Sequence, residues 1–367
     1  MNANKSVLIA CGGTGGHLFP GIAVAQALRQ RGVRSILAIS EKSVDRTAAE
    51  TYPDMEFLAL PARPLPKPWS PAMPGFLMAG ARAMQRCRAT MREKSIGAVL
   101  GMGGFTSAVP VLAARMAGVP VFLHDSNAVP GKANRMGARF AHTFFLGLKE
   151  GATYLGTVKT KVVGTPVRSE FCQLPDRAEA VNVFGLSAHK KTLLVLGGSQ
   201  GARALNRAAI DAMAEFDPDA VQVLLLSGTG DYQATCDYLA TRSDAANIKV
   251  LPFCSQMPAA YACSDLVLAR SGASTLSELS VVGLPAVLVP YPYAADDHQT
   301  ANALAFTQHQ AAELLPESEM NATSLAQILR GIFHDPKRLP QMARQMTSCA
   351  RPNAAEIMAD HIIANLQ

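Results

Sequence analysis

The chain holds a single tryptophan, Trp69, in 367 residues, and aromatics make up 6% of it. Lys and Arg are scattered, with no dense basic run. A nucleic-acid surface interleaves rings with clustered cations, so nucleic acid is a poor fit as a partner. The seven cysteines (Cys11, Cys87, Cys172, Cys236, Cys254, Cys263, Cys349) form no C-x-x-C pair and no zinc spacing. They read as free thiols of a reducing compartment, and no metal centre is expected. Asp217-Pro218-Asp219 has the D-x-D spacing of a metal site, but it precedes an expected strand and reads as a surface turn. The longest low-charge stretch, 98–114, carries Gly101, Gly103, Gly104 and Pro110. It divides into strand, loop and helix rather than spanning a bilayer. Lys5 runs straight into the first strand, leaving no room for a secretory apolar segment, so a cytoplasmic location is expected. No Gly-Lys-[Ser/Thr] follows a glycine turn, which argues against a P-loop nucleotidase.

What is present suits an enzyme with acidic ligands. Hydrophobic residues make up 49% and charged residues 17%, enough to build a large core, and the length accommodates two domains. The net charge of +6 fits a phosphorylated substrate or an anionic lipid surface; a solvated basic face is the bland alternative. Residues 7–10 form an apolar strand that ends in Gly12-Gly13-Thr14-Gly15-Gly16-His17. Glycines there let main-chain N–H groups turn inward, and a helix start beyond them makes an anion seat. A tight turn that merely packs strand on helix is the competing explanation.

Strand, glycine loop and helix then recur. Helix is expected over 21–31 and strands over 35–39 and 56–60. A proline-rich break spans 61–74 and contains Trp69. A helix over 75–91 follows, opening with Phe76 and Leu77 and carrying Arg82, Arg86 and Arg88. Trp69, Phe76 and Leu77 beside those cations suit an interfacial membrane patch; a loop and helix that cover the sheet are equally compatible. Strand 96–100 runs into Gly103-Gly104-Phe105, with Thr106 and Ser107 expected as helix caps. Strand 119–123 ends in His124-Asp125-Ser126-Asn127, polar groups expected to point into a ligand crevice. A short helix over 130–139 and a strand over 142–145 follow. Residues 162–168 read as the exit from a first domain, and 176–186 is polar and mixed.

A second round begins with strand 192–196 and Gly197-Gly198-Ser199-Gln200-Gly201. Strands are expected at 221–227, 248–251, 266–269, 286–290 and 312–314. Helices are expected at 232–241, 257–262, 274–282 and 298–307 between them, then at 322–333, 336–346 and 353–366. The fold expected is α/β: two Rossmann-like, doubly wound parallel-sheet domains facing across a cleft, 1–164 and 165–349, with 350–367 packing back on the first. Gly13-x-Gly15-x-x-Leu18 lacks the third glycine of a dinucleotide fingerprint, although Glu41 could stand for its ribose acid. That leaves a dinucleotide oxidoreductase as a rival.

Several motifs fall in order along nearly the whole chain: Gly12-Gly13-Thr14-Gly15-Gly16-His17-x-x-Pro20, Gly103-Gly104-Phe105-x-Ser107, His124-x-x-Asn127, Pro166-Val167-Arg168, Gly197-Gly198-Ser199-Gln200-Gly201-Ala202, Arg270-Ser271-Gly272-Ala273-x-Thr275-x-x-Glu278 and Asp297-His298-Gln299-x-x-Asn302-Ala303. This set resembles the MurG family of peptidoglycan glycosyltransferases. The resemblance implies a GT-B fold and transfer of N-acetylglucosamine from UDP-N-acetylglucosamine to lipid I, giving lipid II. It implies inversion and action as a peripheral enzyme on the cytoplasmic face of an anionic inner membrane; no cofactor is expected to be required if helix dipoles and Arg neutralise the leaving pyrophosphate. Phe105 stands where the family usually has Tyr, and Asp125-Ser126 where it has Glu-Gln.

Such a reaction needs a base near the acceptor hydroxyl and neutralisation of the leaving pyrophosphate. His17 is the candidate base, at a helix N-terminus whose macrodipole disfavours the imidazolium. A capping or phosphate-contacting His is the alternative, and His124 and Asp125 are the runners-up. Gly13, Gly103, Gly104, Phe105 and Ser107 are expected in the acceptor and diphosphate loops. Thr14, Gly15, Gly16 and Asn127 are expected against the sugar nucleotide, with Arg168 and Ser199 on phosphate. Main-chain N–H groups of Ala273, Ser274, Thr275, Leu276 and Ser277 are expected to face the pyrophosphate. Glu278 is placed to accept from the ribose hydroxyls; an exposed first-turn Glu is the alternative. The resemblance adds Gln299 on the sugar hydroxyls and main chain near Cys254 on the uracil. Other UDP-sugar transferases with a different lipid acceptor, a UDP-N-acetylglucosamine epimerase and a non-enzymatic lipid-binding scaffold stay open.

Overall fold

A computed structural model describes the chain except residues 1–4, 43–44, 46–48, 62–65, 68, 198–200, 243–246 and 367. The chain divides into two compact units, Met1–Arg168 with Arg351–Gln367, and Ser169–Ala350.

In the first unit the strands are β1 Ser6–Ala10, β2 Ser35–Ile39, β3 Glu56–Ala59, β4 Ile96–Gly101, β5 Val121–Asp125, β6 Thr143–Leu146 and β7 Thr160–Val162. All pair in parallel, in the order β3-β2-β1-β4-β5-β6-β7. Alternation decides the two faces. Val7 and Ile9 enter one core cluster with Leu18 and Ile22 of α1 (Gly15–Gln30), while Leu8 and Ala10 enter the other with Val99 and Val111. The C-terminal helix Ala354–Ile363 closes the first cluster through Met358 and Ile362. Removing a buried side chain such as Leu18 would cost about 2–5 kcal/mol.

Several local expectations shift. Helix α1 starts at Gly15 rather than 21 and carries Pro20 inside it. Pro20 withdraws one main-chain donor early in the helix, and its buried ring compensates by packing. Strand β5 extends through His124 and Asp125, which lie in the strand rather than beyond it. After α2 (Met73–Glu93) and β4, α3 runs Gly104–Ala117, so Thr106 and Ser107 sit inside the helix and Gly103 is its N-cap. A short helix α4, Lys132–Gly137, follows β5. Strand β7 had no sequence signal, being a three-residue edge strand with Lys161 exposed. It carries the first unit onward: Val163 joins the core, and Arg168 stacks on Phe19 at 4.2 Å.

The second unit opens with α5, Arg177–Phe184, in the segment read as merely polar. Asp176 caps it by accepting from Ala178 N–H at 2.7 Å, and Gly185 ends it at φ 64°. The sheet order is β10-β9-β8-β11-β12-β13, all parallel. The strands are β8 Lys191–Leu196, β9 Val221–Leu226, β10 Ile248–Leu251, β11 Leu266–Ala269, β12 Ala286–Leu288 and β13 Ala312–Leu314. Its intervening helices are α6 Arg203–Ala212, α7 Tyr232–Ala240, α8 Met257–Ala262, α9 Ala273–Val282 and α10 His298–Thr307, with α11 Ala322–Phe333 and α12 Arg338–Ser348 after β13. Both expected doubly wound parallel sheets are present.

Candidate active site

Chain order reverses direction in each sheet at one place, and ligands of open α/β sheets bind beyond the carboxyl ends of the strands there. In the first unit that point lies between β1 and β4. Met102 N–H donates to the Ala10 carbonyl at 2.8 Å, tying the two glycine loops together as they leave the sheet. Gly12 must be glycine: a Cβ there would stand 2.3 Å from the Ser40 nitrogen. Gly13 and Gly103 adopt φ of 110° and 111°, a region L side chains avoid.

His17 sits half-buried in the first turn of α1. Its Nδ1 is 2.9 Å from Thr14 Oγ1, and a Cβ on Gly103 would stand 2.8 Å from its Nε2. The imidazole therefore lies between the two loops. In the tautomer whose Nδ1–H donates to Thr14, Nε2 carries the lone pair a base needs.

His124 and Asp125, the runners-up, hold other positions. His124 is fully buried on the Phe122 face of β5, and its Nε2 is 3.0 Å from the Gly164 carbonyl. Burial lowers its pKa to about 4. The neutral ring donates Nε2–H to that carbonyl, and Nδ1 has no partner among the described residues. Asp125 Oδ1 accepts from Asn127 N–H at 3.0 Å and Asn127 Nδ2 at 3.1 Å. Its Oδ2 accepts from Gly131 N–H at 2.8 Å and Asn134 Nδ2 at 2.9 Å. With four donors on this carboxylate, it shapes the loop that presents Asn127. Asn134 also donates to the His124 carbonyl at 2.9 Å, and it borders Gly103. Nothing in the sequence marked it, because its partners are strand and loop groups it meets only after folding.

Phe105 is exposed at the start of α3, while Ser107 is buried and donates to the Gly104 carbonyl at 3.0 Å. Gly13 donates its N–H to Asp45 at 2.9 Å, so that amide faces the protein. Thr14 and Gly16 are exposed and Gly15 half-buried. Arg168, besides covering Phe19, donates to Tyr52 Oη at 3.1 Å.

In the second unit the reversal lies between β8 and β11. Ser199, expected on phosphate after β8, lies outside the described residues. Gly201, at φ 77°, passes so close to the Ser227 carbonyl that a Cβ would stand 2.3 Å from it. Beyond β11, Arg270 donates to the carbonyls of Val289 and Pro290 at 3.2 Å each and pairs with Glu317. Gly272 caps α9. Ser274, Thr275 and Ser277 are half-buried, whereas Ala273 and Leu276 are buried, which leaves these two only main-chain groups to offer. Glu278, half-buried in the second turn, accepts from Tyr261 Oη at 2.8 Å. Gln299 Oε1 accepts from Tyr291 N–H at 2.9 Å, and Ser271 Oγ donates to the Gln299 carbonyl at 2.8 Å. Asp296 and Asp297, at φ 52° and 49°, set the tight entry to α10. Cys254 is buried, which pushes its thiol pKa up and leaves it inert as a nucleophile.

Among the described residues no helix is long and apolar enough to cross a membrane. Trp69 is 99% exposed and Leu77 62%, while Phe76 is half-buried. Met78 beside them is also exposed, as are Arg82 and Arg88.

The glycosyltransferase family 28 N-terminal domain matches residues 7–146, and the family's C-terminal domain matches residues 192–360. The chain is 38% identical over 363 residues to a UDP-N-acetylglucosamine–N-acetylmuramyl-(pentapeptide) pyrophosphoryl-undecaprenol N-acetylglucosamine transferase of Xanthomonas campestris pv. campestris, covering 98% of this chain and 82% of the relative. The transferase of the same name from Halorhodospira halophila is 38% identical over 358 residues, 97% of each chain. The crystal structure of Acinetobacter baumannii MurG superposes with a TM-score of 0.77 at 29% identity, covering 98% of this chain and 99% of that one. The chain belongs to glycosyltransferase family 28, and within it to the MurG family of N-acetylglucosamine transferases.

Proposed function

We propose that this enzyme moves N-acetylglucosamine from UDP-N-acetylglucosamine to the 4-hydroxyl of the muramyl sugar of lipid I, with inversion, making lipid II. The observation that carries this is the placement of His17 between two glycine loops at the reversal point of the first sheet, its Nδ1 held by Thr14. Nε2 takes the proton of the acceptor hydroxyl as that oxygen attacks the anomeric carbon. In the second unit the N-terminal amides of α9 meet the pyrophosphate as UDP departs. Glu278, oriented by Tyr261, binds the ribose, and Gln299 reaches the sugar hydroxyls. Charge neutralisation by helix amides calls for no divalent cation or other cofactor, so chelation by EDTA should leave turnover unchanged. Exposed Trp69 and Leu77 beside Arg82 and Arg88 seat the first unit on the anionic cytoplasmic face of the inner membrane.

The test uses purified protein with radiolabelled UDP-N-acetylglucosamine. A lipid I analogue should become labelled and diacylglycerol should not. UDP-N-acetylglucosamine should raise the melting temperature and NAD should not. Labelling of diacylglycerol alone would make it a different lipid transferase. Formation of an epimerised sugar nucleotide without acceptor would replace transfer with epimerisation.

A further inference from the structure

The glycine loop of the first unit is anchored by a carboxylate that the chemistry above does not use. Asp45, beyond β2, is completely buried. Its Oδ2 accepts from Gly13 N–H at 2.9 Å, from Ser40 N–H at 2.7 Å and from the Ser40 hydroxyl at 2.5 Å. Ser40 Oγ in turn accepts from Lys42 N–H at 3.3 Å. Lys42 Nζ donates to the Gly13 carbonyl at 3.0 Å. Both peptide groups of Gly13 are thus tied down, the N–H by a carboxylate and the C=O by an ammonium. Hydrogen bonds with an ionised partner are about twice as strong as neutral ones, and the buried Asp45 side holds most firmly, the Lys42 tie being exposed to solvent. It also holds a residue at φ 110°, a conformation that has no helix or sheet ladder to maintain it.

The sign of the charge narrows the role. A negative group bonded to the loop opposes anion binding at Gly13, and the Gly13 amide is already taken by that carboxylate. What the clamp does serve is the next residue. Thr14 follows the clamped peptide directly, and Thr14 Oγ1 sets the His17 ring through its 2.9 Å contact with Nδ1. We infer that Asp45 is a positioning residue of the transfer reaction: it fixes the Gly13 peptide, which places Thr14, which orients His17. This inference rests on the assignment of His17 as base.

The experiment compares wild type with Asp45→Asn, Ser40→Ala, Lys42→Met and His17→Ala in the full chain. Kinetics are measured on a lipid I analogue, alongside melting temperature and the nitrogen-15 signals of the His17 ring. For Asp45→Asn, kcat should fall tenfold or more, with KM for UDP-N-acetylglucosamine within twofold and the ring signals shifted. Ser40→Ala and Lys42→Met, which each remove one tie, should lower kcat by smaller factors and keep the test alive if Asp45→Asn does not fold. A lowered melting temperature with kcat and ring signals unchanged would reduce Asp45 to a purely structural role and overturn the inference. An active Asp45→Asn beside an inactive His17→Ala would sink the positioning role alone. A fully active His17→Ala would sink the base assignment beneath it.

Discussion

Tyr261, almost wholly buried, donates its phenolic hydrogen to Oε2 of Glu278 at 2.8 Å. The bond spans α8 and α9 and fixes the rotamer of a carboxylate one turn into the helix at the reversal point of the second sheet. A preorganised acceptor of this kind binds a diol without first losing its own side-chain freedom.

Glu278→Ala should raise the donor KM about 10- to 150-fold, the ~1.5–3 kcal/mol expected of hydrogen bonds to a charged group, with kcat nearly unchanged. Tyr261→Phe should do the same more weakly, because it frees the carboxylate without deleting it. Initial-rate kinetics at saturating acceptor check both; an unchanged KM in Glu278→Ala would remove Glu278 from the ribose.

His17→Ala should cut turnover roughly 10²-fold or more and leave UDP affinity nearly intact, because general-base catalysis is worth about that much. Isothermal titration with UDP, run beside a turnover assay, separates the two effects. Full turnover in the variant would return His17 to a capping role.

Stability should fall in mild acid. Burial holds the His124 pKa at about 4, below the ordinary value near 6.5 that it regains on unfolding. The unfolded chain therefore binds a proton between those values and the folded chain does not. The stability this site contributes is fully present above about pH 6.5 and declines as pH drops toward 4, by roughly 3 kcal/mol at most. His361, its pKa lowered by burial and then by Lys161 and Lys159, adds in the same direction. Urea unfolding at a series of pH values should show this slope, and His124→Gln should flatten it, since Gln can donate to the Gly164 carbonyl without titrating.

Trp69→Ser with Leu77→Ser should weaken binding to anionic vesicles at least tenfold, since each apolar side chain contributes about 1.5–3 kcal/mol when buried. Raising salt should weaken binding further through Arg82 and Arg88. Vesicle sedimentation measures both, and identical binding by the double variant would make this face purely structural. Phe76, half-buried, should matter less than Leu77.

Much of the site was legible before folding because its signals are local. Glycines at 12, 13, 103 and 104 announce turns beside strand ends, and Glu278 follows a helix start at a fixed offset. The groups that orient the key side chains were not legible. Asp45 reaches Gly13 across 32 positions, and Tyr261 reaches Glu278 across 17. Neither spacing repeats a helical or strand period, so no pattern in the chain announces the pair.

By itself the sequence determined the alternation of strands and helices, the two parallel sheets and the glycine turns at their edges. Those follow from side-chain periodicity and main-chain sterics, which act over a few residues. Only the tertiary structure decided which polar residue faces outward. His17 and His124 both stand near strand ends, yet one lines the loops and the other is sealed against the Gly164 carbonyl, 40 residues away. Burial is set by what packs on top, and the covering segment arrives from a distant part of the chain.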